Sequence, residues 1–283
     1  MKTYILIFVF VINLLIFTNA ATQQTNGRYV DLPGVKLWIV DSGGNGDPVI
    51  LLHPRTGNSE FFQHTIPALA QAGYRAIAID NPGWGKSMVS DPSNTTPVAQ
   101  TLDALFDHLG FQQVNLVGTA MGGYEAVDYA AWKPDRLNTL VIAASGLGFQ
   151  NDPEYDAFRK LAEIPGMSEQ PSHIREVSPN YRASNPQGLA QWQVIYKNGQ
   201  QDGVARPPLF APNTPEKLAS IKAHTLVIAG GIDLVTPSGA MRLWSRHIQS
   251  PKEFAVIAEA GHVLVWEQPD VFNRLLLDFL NKH

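Results

Sequence analysis

The stretch Gly118-Thr119-Ala120-Met121-Gly122-Gly123 constrains the fold of this chain more than any other. An apolar run, Val114-Asn115-Leu116-Val117, leads in, and a helical pattern from Tyr124 to Trp132 leads out. Gly118 and Gly122 let the entering strand and the departing helix approach closely, so the chain turns sharply on one residue. That residue is Ala120. A non-glycine residue at such a tip carries backbone strain of about 1–3 kcal/mol. Its methyl group cannot attack a carbonyl.

The rest of the chain repeats the same rhythm. Val35 to Val40, Val49 to Leu52, Arg75 to Ile79, Leu140 to Ala143, Leu226 to Ala229 and Phe254 to Ile257 read as further strands. Most are continuous apolar runs, as expected for strands buried on both faces of a parallel sheet. Helices fill the gaps. Thr96 can cap a helix with Pro97 at its first position and Gly110 as its stop. Pro269 to Leu280 carries Val271, Leu275, Leu276, Phe279 and Leu280 at helical spacing. This alternation predicts an α/β fold with a doubly wound, mostly parallel sheet. Residues 146–223 break the rhythm, with several prolines and no convincing strand. So long a stretch does not stay structureless in a compact domain. It is read as a helical cap inserted into a core of residues 21–145 and 224–283, over the carboxyl edge of the sheet, where ligands bind.

Composition narrows the function. The chain has 283 residues, a net charge of −4 and no basic run, so nucleic acid is not an expected partner. It has no cysteine, which excludes disulfides, thiolate metal sites and a cysteine nucleophile. No His/Asp/Glu cluster has metal-ligand spacing, and neither metal nor cofactor is expected. Lys2, the apolar run Tyr4 to Phe17, and Thr18-Asn19-Ala20 read as a signal peptide, residues 1–20, cleaved after Ala20. The run is short of the roughly 20 residues that span a bilayer. The expected mature protein is secreted or periplasmic, without a membrane anchor. Oligomeric state stays open.

Four pieces then stand in a telling order. Gly118 to Gly122 matches a G-x-S-x-G nucleophile elbow with alanine in the serine position. Asp80-Asn81-Pro82-Gly83-Trp84-Gly85-Lys86-Ser87 follows a strand as a D-x-x-G-x-G-x-S loop. Gly230-Gly231-Ile232-Asp233 follows another, and Ala260-Gly261-His262 follows the last, 29 residues beyond Asp233. From about residue 28 to the C-terminus the chain resembles the α/β-hydrolase superfamily. The resemblance implies a His262–Asp233 pair beside the elbow. It also implies an oxyanion hole made by the N–H groups of Met121 and Arg55. In His53-Pro54-Arg55 a proline stands where the family has glycine. Pro54 removes an N–H and fixes φ, so that loop is expected to be reshaped. The Arg55 guanidinium is either an anion-binding group or a solvated loop side chain. His53, Trp84, Trp192 and Tyr196 are candidate substrate contacts, with loop support (His53) and packing (the aromatics) as the plainer reading.

Three functions fit a missing serine. In the first, His262 and Asp233 act as a general-base dyad on a small, largely apolar, neutral or weakly anionic molecule. The chemistry is then hydrolase- or lyase-like, with no covalent acyl-enzyme. In the second, the chain is a pseudoenzyme that only binds a ligand. In the third, it is a serine ester hydrolase inactivated by Ser→Ala at position 120. The retained Asp233 and His262 weigh against the second. Pro54 and the leader weigh against the third.

Overall fold

A computed structural model describes residues 26–146 and 148–283; the expected leader lies outside them. The strands are β1 (Asn26–Leu32), β2 (Val35–Asp41), β3 (Pro48–Leu52), β4 (Arg75–Ile79), β5 (Met88–Val89), β6 (Val114–Thr119), β7 (Leu137–Ala143), β8 (His224–Gly230) and β9 (Lys252–Ile257). The helices are α1 (Thr65–Gln71), α2 (Val98–Leu109), α3 (Met121–Trp132), α4 (Pro153–Leu161), α5 (Ser172–Glu176), α6 (Pro179–Ser184), α7 (Pro186–Lys197), α8 (Pro215–Ala219), α9 (Ser238–Ser245), α10 (Leu264–Glu267) and α11 (Pro269–Leu280).

All nine strands form one sheet, in the order β1-β2-β4-β3-β6-β7-β8-β9, with β5 paired to β2. The pairs from β4 through β3, β6, β7 and β8 to β9 are parallel. β1 and β2 run antiparallel at one edge. Every residue of β6 is buried, which is what a central strand between two helix layers requires. Two apolar cores lie on opposite faces. One packs Leu102, Leu105, Phe106, Val127, Tyr129 and Trp244. The other packs Phe61, Phe62, Trp192, Phe272, Leu276 and Phe279.

All seven expected strands are present, and α11 spans Pro269 to Leu280. One cap moves: Pro97, in extended geometry with φ −51° and ψ 136°, precedes α2 where Thr96 was expected. Gly110 does close α2, in the left-handed region at φ 74°. Between β7 and β8 the described residues form five helices, α4 to α8, and no strand. Asp152, Ser178, Asn185 and Thr214 each accept a backbone N–H from the first turn that follows them, and a proline follows each of the four. That repeated polar-then-proline signal starts helix after helix. Among the described residues no helix is long and apolar enough to cross a membrane.

Candidate active site

The site is built at the carboxyl ends of the central strands. β6 ends at Thr119 and α3 begins at Met121, so Ala120 alone makes the turn. Its backbone sits at φ 49° and ψ −110°, a region that an alanine enters only under constraint. The constraint is visible. Ala120 N–H donates to Ala143 O at 2.9 Å, and its carbonyl accepts from Gly123 N–H at 3.0 Å. The same carbonyl accepts from the buried Ser145 hydroxyl at 2.8 Å. A Cβ on Gly118 would strike the Gly122 carbonyl, and one on Gly122 would strike the Leu52 carbonyl. Glycine at both positions is what allows strand, turn and helix to pack this tightly.

β8 delivers Asp233 and the β9 exit delivers His262. His262 Nδ1 and Asp233 Oδ2 are 2.9 Å apart. The carboxylate also accepts from Val235 N–H and Thr236 N–H at 2.8 Å each, and from the Thr236 hydroxyl at 2.7 Å. Burial alone would push Asp233 up, but the imidazole and these donors outweigh it and hold the carboxyl below its ordinary value. Burial likewise disfavours the imidazolium, yet the Asp233 carboxylate wins, and His262 is raised above 6.5. With Nδ1 committed to Asp233, Nε2 is left for the cavity. The loop holding His262 is pinned by Glu267, which accepts from Gly261 N–H and Ser178 N–H at 3.1 Å each.

Ala120, Met121, Arg55 and His262 line one cavity of about 390 Å³. Met121 opens α3, so its N–H has no acceptor within the helix. Sequence reasoning missed other walls of this cavity: Tyr124 and Glu125 from α3, Arg175 and Glu176 from α5, and Arg206 and Leu209 from the loop before α8. Glu176 is buried and accepts from the Thr56 hydroxyl at 2.6 Å. Arg55 and Arg175 stand near it at 3.8 and 3.9 Å. The acidic Glu125, so soon after the elbow on a helix that packs into the core, was a legible signal. The arginines, on segments without periodicity, were not.

The four expected substrate contacts are not on the wall of this cavity. His53 is fully buried; its Nδ1 faces the Pro54 carbonyl at 2.8 Å and its Nε2 accepts from Asn81 N–H at 3.0 Å. It ties two loops together, and burial holds it neutral, below 6.5. Trp84 is buried, and its indole N–H donates to Arg55 O at 2.9 Å, anchoring the Arg55 loop. Trp192 is buried and stacks on Tyr196 at 5.6 Å, with an interplanar angle of 9°. Tyr196 borders a separate pocket. Packing and loop support are their roles, because tryptophan and tyrosine fill a core as readily as a binding site. Asp80 of the D-x-x-G-x-G-x-S loop is structural too, accepting from Ser59 N–H and Lys86 N–H at 2.7 Å each. Among the described residues no group of three His, Asp or Glu side chains is placed to hold a metal.

The chain can now be set beside known proteins. Residues 49–275 match the alpha/beta hydrolase family. The 2-hydroxy-6-oxononadienedioate/2-hydroxy-6-oxononatrienedioate hydrolase of Paraburkholderia phymatum is 30% identical over 92% of this chain and 98% of that protein. The 2-hydroxy-6-oxo-6-phenylhexa-2,4-dienoate hydrolase of Comamonas testosteroni is 29% identical over 86% of this chain and 90% of that protein. A solved thermophilic esterase from Thermogutta terrifontis is 26% identical, covers 91% of this chain and 98% of its own, and superimposes with a TM-score of 0.74. These relatives are hydrolases of small molecules, and the protein described here belongs to the alpha/beta hydrolase family.

Proposed function

We propose that the protein is a secreted or periplasmic hydrolase of small anionic carbonyl compounds that works without a covalent intermediate. One observation carries the reading: an imidazole held by a carboxylate at 2.9 Å shares a cavity with a turn whose tip is a methyl group. His262 Nε2 takes a proton from water. The water oxygen bonds to the substrate carbonyl carbon, and the N–H groups of Met121 and Arg55 receive the charge that develops on the carbonyl oxygen. The bond to the leaving group then breaks and that group takes a proton. Residues 146–223 serve as the cap over the site.

The wall chemistry supports an anionic substrate. Arg55, Arg175 and Arg206 face the cavity, and the Glu176 carboxylate stands near the first two. Guanidinium groups bind carboxylates with paired donors. The relatives named for a dienedioate act on a dicarboxylate. Lys2, the apolar run after it and Ala20 support export of the chain.

A second reading has its own support. The strained backbone at Ala120, φ 49°, and its Ser145 bond are kept although no hydroxyl is there to benefit. That is how a serine hydrolase with its serine replaced would look. Short p-nitrophenyl esters separate the two. Under the first reading wild type turns them over, His262→Ala abolishes turnover, and Ala120→Ser changes it little. A gain of several orders of magnitude in Ala120→Ser, from a silent wild type, moves the assignment to the second.

A further inference from the structure

We propose that Glu125 is a second proton-transfer group of this cavity, giving its hydrogen to the departing part of the substrate while His262 takes one from water. The proposal rests on the hydrolytic reading above. Glu125 lies one helical turn beyond Met121, so the two share a face of α3. Both line the cavity. The side chain is 5% exposed, and it makes one hydrogen bond, accepted from Asn81 Nδ2 at 2.7 Å.

Two observations show how the carboxyl can hold and release a hydrogen. Asn81 Oδ1 is buried with no partner. A half-turn of that amide would offer Oδ1 to a Glu125 O–H at the same spacing, since nitrogen and oxygen of an amide are interchangeable in outline. The hydrogen therefore has an inward resting place on Asn81 and an outward one toward the cavity. Burial pushes Glu125 up to about 8; the Asn81 bond pulls the other way, and Asp128 adds to burial. At neutral pH the group is a carboxylic acid. The charged and titratable groups around it are Asp128, itself paired with Lys217, and, on the cavity wall, Arg55, Tyr124, Arg175, Glu176, Arg206 and His262.

The step balances. Water gives OH to the carbonyl carbon and a proton to His262 Nε2. The leaving atom departs with its bonding electron pair and takes the Glu125 proton. Imidazolium and carboxylate then return to imidazole and carboxylic acid through solvent, so one water is consumed. Two buried carboxyls thus hold opposite states: Asp233 charged behind the base, Glu125 neutral on the cavity wall as the acid.

The test varies how much the leaving group needs a proton. Glu125→Gln keeps the shape and the Asn81 bond. On the ethyl ester of a small acid, Glu125→Gln is expected to lower kcat about 10²–10⁴-fold. It is also expected to remove the loss of rate above about pH 8. On the p-nitrophenyl ester of the same acid, whose leaving group departs unprotonated, the rate stays within about twofold. Equal effects on both esters, or on neither, overturn the proposal. A readout free of turnover is the infrared difference between wild type and Glu125→Gln, with acetate as the probe. A protonated carboxyl band that fades through about pH 8 and shifts when acetate binds supports the proposal. No such band, or one that acetate leaves unmoved, overturns it. His262→Ala is measured alongside: unchanged rates there sink the general-base reading, whereas the infrared band stands or falls with Glu125.

Discussion

At the scale of single residues, this site separates geometry from chemistry. The Ala120 turn is imposed by its neighbours and would hold serine or alanine alike, since both pay for φ 49°. Under the proposed reaction, function passes to groups whose charge states are fixed by what surrounds them. Asp233 is the clearest case, with three protein donors besides the imidazole. Asp233→Asn keeps that shape but offers Nδ1 an amide, which favours the wrong tautomer. We expect kcat to fall about 10⁴-fold with the fold intact by circular dichroism. The pH profile should change as well. His262 must be neutral to act as a base, and Asp233 raises it above 6.5. The rate of wild type therefore climbs with pH through a value above 6.5, and in the residual activity of Asp233→Asn that climb moves to lower pH. An unshifted limb in a kcat–pH series would show that His262 is not the titrating base.

At the scale of elements, two kinds of glycine are at work. Gly110 closes α2 at φ 74° with nothing within 4 Å of where a Cβ would stand. Gly110→Ala should therefore cost only backbone strain, about 1 kcal/mol in urea unfolding, with activity unchanged. A cost of several kcal/mol would reveal packing that the geometry does not contain. Gly118 and Gly122 are different, because a side chain there collides with backbone. The central elements were legible because each is an apolar run of strand length closed by glycine or a polar turn. β1 and β5 were not. β1 is an edge strand opening Asn26-Gly27-Arg28, and β5 has two residues, so neither carries the doubly buried pattern. In the site, Asp233 and His262 were legible because each follows a strand directly. Arg175, Glu176 and Arg206 come from stretches whose direction is set only by folding back over the sheet. Trp84 and Trp192 show the converse, since the sequence cannot say whether an aromatic faces a cavity or a core.

At the scale of the whole molecule, a chain of net charge −4 presents three arginines around one cavity. That local reversal of sign draws anions toward the site. Arg206 has no ion pair or hydrogen bond among the described residues. Arg206→Ala should weaken acetate binding several-fold, measured by calorimetry, and flatten its dependence on salt. Unchanged affinity would remove Arg206 from the ligand's path. Hydrogen bonds tie the inserted segment to the rest of the protein at several places, among them two seams. On one, Gly85 N–H donates to Gly199 O and Gln201 N–H to Gly83 O, at 2.8 Å each. The Gln201 amide adds bonds to the carbonyls of Gly85 and Ser87 at 3.0 and 2.8 Å. On the other, Glu176 O accepts from His262 N–H at 2.8 Å, beside the Glu267 bonds to Gly261 and Ser178. Because the second seam runs through the histidine loop itself, lifting that edge would drag the base out of register with its carboxylate. Under the proposed reaction, a substrate bulky enough to force this edge open would disable its own hydrolysis, so the bonds that fix the imidazole would also set an upper limit on substrate size.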